Sequence, residues 1–327
     1  MTVDVLSDVL RAVHLTGAVY FDLELSSPWV ADTPLSSDIA AVVAPGSQRV
    51  IPYHVMVRGN AWGSALGGEP MRLLEGDLLV FPKGDPHVMS SDPGMRSTGD
   101  YSHYARPSTS LPLAFELGGG GPERTRVVCC FMGLDERPYN PLLSALPSVI
   151  HLNGSGWLSP LLSIAVAESG KVRPGGQNVL ARISELMFVE AIRRYVESLA
   201  PAETGWLAGL RDAVVGKALG ALHGAPSEVW TVERLARHVG VSRSVLAERF
   251  TGMVGQPPIQ YLALWRMQLA SRLLSDGRPI GEVAAAVGYE SEAAFSRAFK
   301  KLVGQAPAGW RRSHNGGMVP GLSEVTT

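Results

Sequence analysis

Between Gly288 and Lys301 the chain reads GYESEAAFSRAFKK, and its charged and apolar residues alternate with the period of a helix. Phe295 and Phe299 stand one turn apart and form a buried stripe. Glu292, Ala293, Ser296, Arg297 and Lys300 are left on the outward side. Arginine carries a planar fork of donors that matches O6 and N7 of guanine, a contact that discriminates bases. Lysines act as flexible point charges suited to phosphates, which position a protein without reading sequence. We therefore expect base contacts from Glu292, Ala293, Ser296 and Arg297, and phosphate contacts from Lys300 and Lys301. A second set of groups, His54, His87 and Cys129, has different chemistry. Two imidazoles and a thiolate suit zinc or iron. Buried histidines are also satisfied by ordinary hydrogen bonds. Cys129 and Cys130 point to opposite faces of a strand, so one of them looks inward. A disulfide between neighbours would be strained.

The elements that carry the outward residues can be laid out from spacing. Ile280 to Val287 is expected as a helix, with Ala284 small enough for another helix to cross above it. Gly288 stops it, and Ser291 caps the next helix. The same pattern occurs earlier. Thr231 caps a helix carrying Val232, Leu235, Ala236 and Val239, Gly240 ends it, and Ser242 starts a second helix with Leu246 and Phe250 buried. Ser242, Leu246 and Phe250 match Ser291, Phe295 and Phe299 at an offset of 49, while Ala236 and Gly240 match Ala284 and Gly288 at 48. The second turn therefore holds one extra residue. On this first unit, Arg243, Ser244, Ala247 and Glu248 face outward and are expected to meet bases. Between the units, Pro257 and Pro258 open a helix that runs from Ile259 to Ser275. At 1.5 Å per residue it spans roughly 25 to 29 Å, of the order of the ~34 Å between successive major grooves on one face of B-DNA.

Residues 210 to 312 resemble the DNA-binding domain of the AraC/XylS family of bacterial transcription regulators. The likeness is carried by LARHVGVSRSVLAERF, YLALWRMQLASRLL and IGEVAAAVGYESEAAFSRAFKKLVGQAPAGWRR. It implies that both second helices face the major groove of double-stranded DNA. It also implies a homodimer and an activator that works with RNA polymerase. Ahead of this domain, short apolar runs (AVYFDLEL, IAAVV, YHVMV, DLLVFP, RVVCCFMG) alternate with Gly-, Pro- and Asp-rich turns and read as strands. Gly76, Pro82, Gly84 and His87 resemble the second motif of the cupin superfamily. Of the first motif only His54 stands. The resemblance implies a cupin-like β-barrel over about 15–135 that binds an unknown small-molecule effector. His54 and His87 would lie in its pocket. No metal or cofactor is expected, and His54, His87 and Cys129 are the ligand set if a metal binds.

The expected fold is thus α+β in two domains. Residues 1–200 form the cupin-like sensor and dimerisation domain: a helix over 3–13, the barrel, a loop-rich stretch over 90–125, and trailing helices over about 140–200. The trailing helices are Pro141 to Ile150, Leu158 to Glu168 and Gln177 to Leu199. On the last, Leu180, Ile183, Met187, Phe188, Ala191 and Tyr195 form a stripe that serves either dimerisation or packing on the barrel. A linker follows over 201–205, then the all-α DNA-binding domain over 206–314, whose first helix is Trp206 to His223. A disordered tail is expected over 315–327.

Charge supports this division. Residues 205–315 hold 14 Lys and Arg against 8 Asp and Glu, a net +6, and the rest of the chain is net −7 (15 against 22). No basic-apolar leader, no membrane-length apolar run and no disulfide framework is seen, which predicts a cytoplasmic protein without membrane association. The other class open to such a chain is a cupin-type metal-dependent enzyme with a C-terminal helical extension.

Overall fold

The computed structural model describes residues 3–12, 15–96, 113–134, 139–154, 156–169, 173–200 and 203–315. Residues 316–327 of the expected tail and residues 201 and 202 of the expected linker lie outside these, as does the middle of the expected long loop, while Asn315, expected as the start of the tail, ends the last helix. The chain divides into two compact units, one made of Met1–Val13, Arg137–Ala145 and Ala200–Thr327, the other of His14–Glu136 and Leu146–Leu199.

The second unit is the sheet-rich one. Strands β1 (Leu15–Ser26), β3 (Arg49–Arg58), β6 (Leu78–Val80), β8 (Leu113–Gly118), β9 (Arg124–Leu134) and β10 (Ile150–Leu152) form a six-stranded sheet in the order β10-β6-β3-β9-β1-β8. Strands β2 (Val30–Thr33), β4 (Ala61–Ala65), β5 (Met71–Leu73) and β7 (His87–Ser90) form a four-stranded sheet in the order β2-β7-β4-β5. Both sheets contribute to a single core that includes Phe21, Leu25, Trp29, Leu79, Met89 and Phe131. The cupin-type strands are therefore arranged as two sheets around one core and not as one closed ladder.

Three expectations are corrected here. The run Ile39 to Val43, expected as a strand, belongs to helix α2 (Ser36–Val43), which buries Ile39, Ala40 and Val43 on one face. Its two alanines favour helix, and a short apolar run has no period of its own to decide between the two. The expected loop over 90–125 contains β8, which pairs in parallel with β1 from Phe21↔Leu113 to Ser26↔Gly118. The expected helix over 141–150 stops early, as α3 (Pro141–Ala145), and the chain becomes β10 at Ile150.

Helices α4 (Ser159–Ser169) and α5 (Gly176–Ser198) match the reading closely. Leu180, Ile183, Met187, Phe188 and Ala191 are buried, and α5 lies on β1, β9, β10 and α4. The apolar stripe is used in packing on its own unit.

The helical unit gathers α6 (Trp206–Arg211), α7 (Val215–Gly224), α8 (Val232–Val239), α9 (Arg243–Val254), α10 (Pro258–Ser275), α11 (Ile280–Ala286), α12 (Glu292–Val303) and α13 (Pro307–Asn315). Helix α1 (Val5–Ala12) and α3 also belong to it. Val5, Val9 and Ala12 are buried, α1 packs on α3, α7 and α10, and Ala12 O accepts from Gln268 Nε2 at 3.2 Å. The expected single helix from Trp206 to His223 is broken at Asp212. The Asp212 carboxylate accepts from Val214 N and Val215 N, both at 2.9 Å, and so starts a new helix.

Candidate functional site

Each expected cap of the repeated unit is present. Thr231 Oγ1 accepts from Arg234 N at 3.1 Å, Ser242 Oγ from Val245 N at 3.3 Å, and Ser291 Oγ from Ala294 N at 3.2 Å. These bonds satisfy donors that a helix N-terminus otherwise leaves unpaired and set where α8, α9 and α12 begin. Leu246 and Phe250 bury α9, and Phe295 and Phe299 bury α12. Gly240 and Gly288 both have φ of 80°. At Gly288 a Cβ would also meet Ser227 O at 2.4 Å, so two separate constraints demand glycine there.

The helix between the units, α10, has 18 residues, or about 27 Å of length. Arg266, near its middle, donates to Pro226 O at 2.7 Å, to Glu228 O at 2.9 Å and to Gly288 O at 3.4 Å. One guanidinium thereby ties the strut to the approach of the first unit and to the turn of the second. The residue sits in the apolar stretch LALWRMQLA, and that isolated charge is the sequence signal for it. Asp212 and Arg249 form a further tie at 2.6 Å, joining the α6–α7 break to α9. Its hydrogen bonds hold the Asp212 carboxyl below the usual range even though burial acts the other way.

On α12, Glu292, Ala293, Arg297, Lys300 and Lys301 are exposed and Ser296 is half-buried. Among the described residues Arg297, Lys300 and Lys301 have no ion-pair partner, so their charges are free to meet an anion. On α9, Ser244 and Glu248 are exposed and Ala247 is half-buried, while Arg243 pairs with Glu233 at 2.9 Å. That pair is exposed and screened by solvent, so DNA can compete for the arginine.

In the sheet-rich unit the expected histidines and cysteine do come together. The β3–β9 register sets His54 beside Cys129 and Tyr53 beside Cys130. Tyr53 OH bonds Ser184 Oγ of α5, on the opposite side of the sheet. His54 Nδ1 lies 2.9 Å from Cys129 Sγ, and His54 Nε2 lies 2.7 Å from His87 Nε2. His87 Nδ1 is 2.9 Å from Asp85 O, and Phe81 stacks on the His87 ring at 3.6 Å.

A carbonyl only accepts, so with both rings neutral the proton positions follow. His87 carries its proton on Nδ1, His54 carries its own on Nε2, and the Cys129 thiol donates to His54 Nδ1. Burial supports neutrality: it holds His54 well below the ordinary imidazole range, aided by the His87 charge, lowers His87 to about 4, and pushes the Cys129 thiol up. The three candidate ligands thus stand in a row, with His54 in the middle using both nitrogens, and do not converge on one point as a metal needs. Among the described residues no group of three or more His, Cys, Asp or Glu is placed to hold a metal ion.

Beside this row opens a pocket of about 560 Å³, part of it open to solvent. Phe21, Leu23, Leu25, Trp29, Met89, Phe115 and Val127 line it, with Asp32, Thr33, His54 and Cys129 as its polar groups. His87 lies outside the lining, one step behind His54. Asp32 and Trp29 were not singled out from the sequence, because nothing in PWVADTP shows that the strand closes over Cys129.

Two capped two-helix units on one strut, with free cations on the second helix, define a helix-turn-helix DNA-binding protein that also carries a cupin-type domain. Residues 4–197 match the Cupin family, and residues 235–313 match the Helix-turn-helix domain family. The chain is 29% identical over 316 residues to the HTH-type transcriptional regulator AlkR of Acinetobacter baylyi, covering 94% of this chain and 99% of that one. It is 33% identical over 276 residues to an AraC-like transcription regulator of Streptomyces lividans, covering 81% of this chain and 87% of that one. Among solved structures it is similar to the DNA-binding domain of AdpA in complex with a target DNA, at 28% identity and a TM-score of 0.31, covering 32% of this chain and 95% of that one. The chain belongs to the AraC-like family of transcription regulators and acts through binding DNA. No helix among the described residues is long and apolar enough to cross a membrane.

Proposed function

We propose that the protein is an effector-responsive, cytoplasmic transcription activator, not an enzyme, and that α9 and α12 enter successive major grooves of one duplex. The observation that carries this reading is the pair of N-capped units with Arg297, Lys300 and Lys301 exposed and uncommitted. Arg297 pairs with a guanine, and Glu292, Ala293 and Ser296 complete the readout on α12. Arg243, Ser244, Ala247 and Glu248 face bases from α9, and Lys300 and Lys301 meet phosphates. A small molecule enters the pocket beside His54, and His87 holds that ring in place. The protein assembles as a homodimer through surfaces other than the buried stripe of α5 and recruits RNA polymerase.

Selection of bound duplexes from a random pool, followed by footprinting, tests the reading. The expected result is two protected major-groove patches per protomer, about ten base pairs apart on one face. A single patch would make α9 a structural helix. No enriched sequence, with or without added small molecules, would refute the proposal.

A further inference from the structure

The pocket beside β1, β2 and β9 has a wall of hydrocarbon and aromatic carbon, including Phe21, Leu25, Trp29, Phe115 and Val127. Apart from the Trp29 indole, four polar side chains line it, and three are already engaged. His54 uses both ring nitrogens, Cys129 is bonded to His54, and Thr33 has a partner. The fourth is Asp32. Its Oδ1 is buried and has no hydrogen-bond partner. An acceptor left unpaired in apolar surroundings is costly, and the cost is removed when a donor meets it. Among the described residues, the one buried side-chain polar atom of the lining without a partner is therefore an acceptor, and a carboxyl one. Room for the centres of water-sized spheres is about 50 Å³, more than one water needs, and the mouth is open to solvent, so the space takes a slim organic molecule.

We propose that this pocket takes an apolar small molecule with one hydrogen-bond donor, an amine or a hydroxyl, set against Asp32, and that it rejects molecules ending in a carboxylate. The apolar body lies along Phe21, Leu25, Trp29 and Phe115, and the donor end meets the Asp32 carboxylate, which turns towards it because Oδ1 is closed off in the empty pocket. A ligand carboxylate would place a second acceptor against the first, with no hydrogen between them. Calling this ligand an effector rests on the functional reading above; its chemical class rests on the pocket alone.

The full-length protein is titrated calorimetrically with four matched probes, 4-phenylbutylamine, 4-phenylbutanol, butylbenzene and 4-phenylbutyrate, and its melting temperature is followed with each. The amine and the alcohol are expected to bind and to raise the melting temperature. The butyrate is expected to bind at least about tenfold more weakly than the amine, a difference of about 1.4 kcal/mol. Asp32→Asn should erase the amine's advantage over the butyrate. Ala31→Leu, which fills the pocket, should weaken every probe. Equal affinity for amine and butyrate, no binding by any probe, or an unchanged ranking in Asp32→Asn would overturn the proposal. If Asp32→Asn does not fold, the wild-type ranking and the Ala31→Leu variant decide. A DNA-binding assay with and without the amine separates the two readings. Selective binding that leaves DNA affinity unchanged supports the ligand class and removes the effector role.

Discussion

Arg297 and Arg243 differ in one respect that decides what substitution should do. Arg297 is exposed and unengaged, whereas Arg243 is held by Glu233 at 2.9 Å. Arg297→Ala should therefore weaken binding to the selected operator by about 1–3 kcal/mol while leaving non-specific duplex binding nearly unchanged. Competition mobility shifts on the two kinds of duplex measure this, and an equal loss on both would make Arg297 a phosphate contact instead. The buried histidines make a separate prediction about acid. His87 titrates at about 4 in the folded chain against an ordinary 6.5, so between these values the unfolded chain binds a proton that the native chain does not. Stability from this source is full above about 6.5 and falls as pH drops towards 4, by roughly 3 kcal/mol at most for His87 alone. Denaturation midpoints from pH 7 to 4.5 should show that slope, and His87→Asn should flatten it. At this scale the sequence was legible where neighbours in sequence interact, as at Ser242 and Ser291, whose partners lie three residues on. Asp32, Arg266 and the His54–Cys129 pair depend on residues at least 22 positions away. Pairing between distant strands fixed those positions, and a local pattern does not report it.

The two turn glycines allow a controlled comparison between elements. Gly240 and Gly288 share φ of 80°, but a Cβ at Gly240 meets nothing within 4 Å while one at Gly288 strikes Ser227 O. Gly240→Ala should cost about 1–2 kcal/mol from backbone strain alone. Gly288→Ala should cost clearly more and loosen the hold of Arg266 on the turn, read as a lower melting temperature and weaker DNA binding. Helix α1 makes a second prediction. Its amphipathic pattern was visible in the sequence, but its partners were not, because Val9 is buried on α7, α10 and α3, hundreds of residues on or across a strand-rich domain. Val9→Ala removes two buried methyl groups and should destabilise the helical unit by about 2 kcal/mol. Hydrogen exchange of α7 and α10 should rise in that variant; exchange confined to the sheets would show that α1 supports the other unit. The break at Asp212 was missed for a related reason. An aspartate inside a helical pattern becomes a cap only when Arg249 and the following amides hold its carboxylate.

Across the molecule, the repeat of helix pairs was readable because the same caps, stripes and stops occur twice at nearly constant offset. The two-sheet arrangement was readable only in outline, since strand order depends on pairings such as β1 with β8 that skip most of the intervening chain. The one-residue difference between offsets of 48 and 49 has a consequence of its own. The two units are unlike in their turns and unlike in their outward residues, so exchanging them does not restore the same surface. On the proposed two-groove binding a protomer is an arrow on the duplex: its site has a head, read by one unit, and a tail, read by the other. Inverting that site in front of a promoter would keep every base contact and reverse the heading of the bound protein. A regulator that must face the polymerase from one side would then occupy its site in full and remain silent.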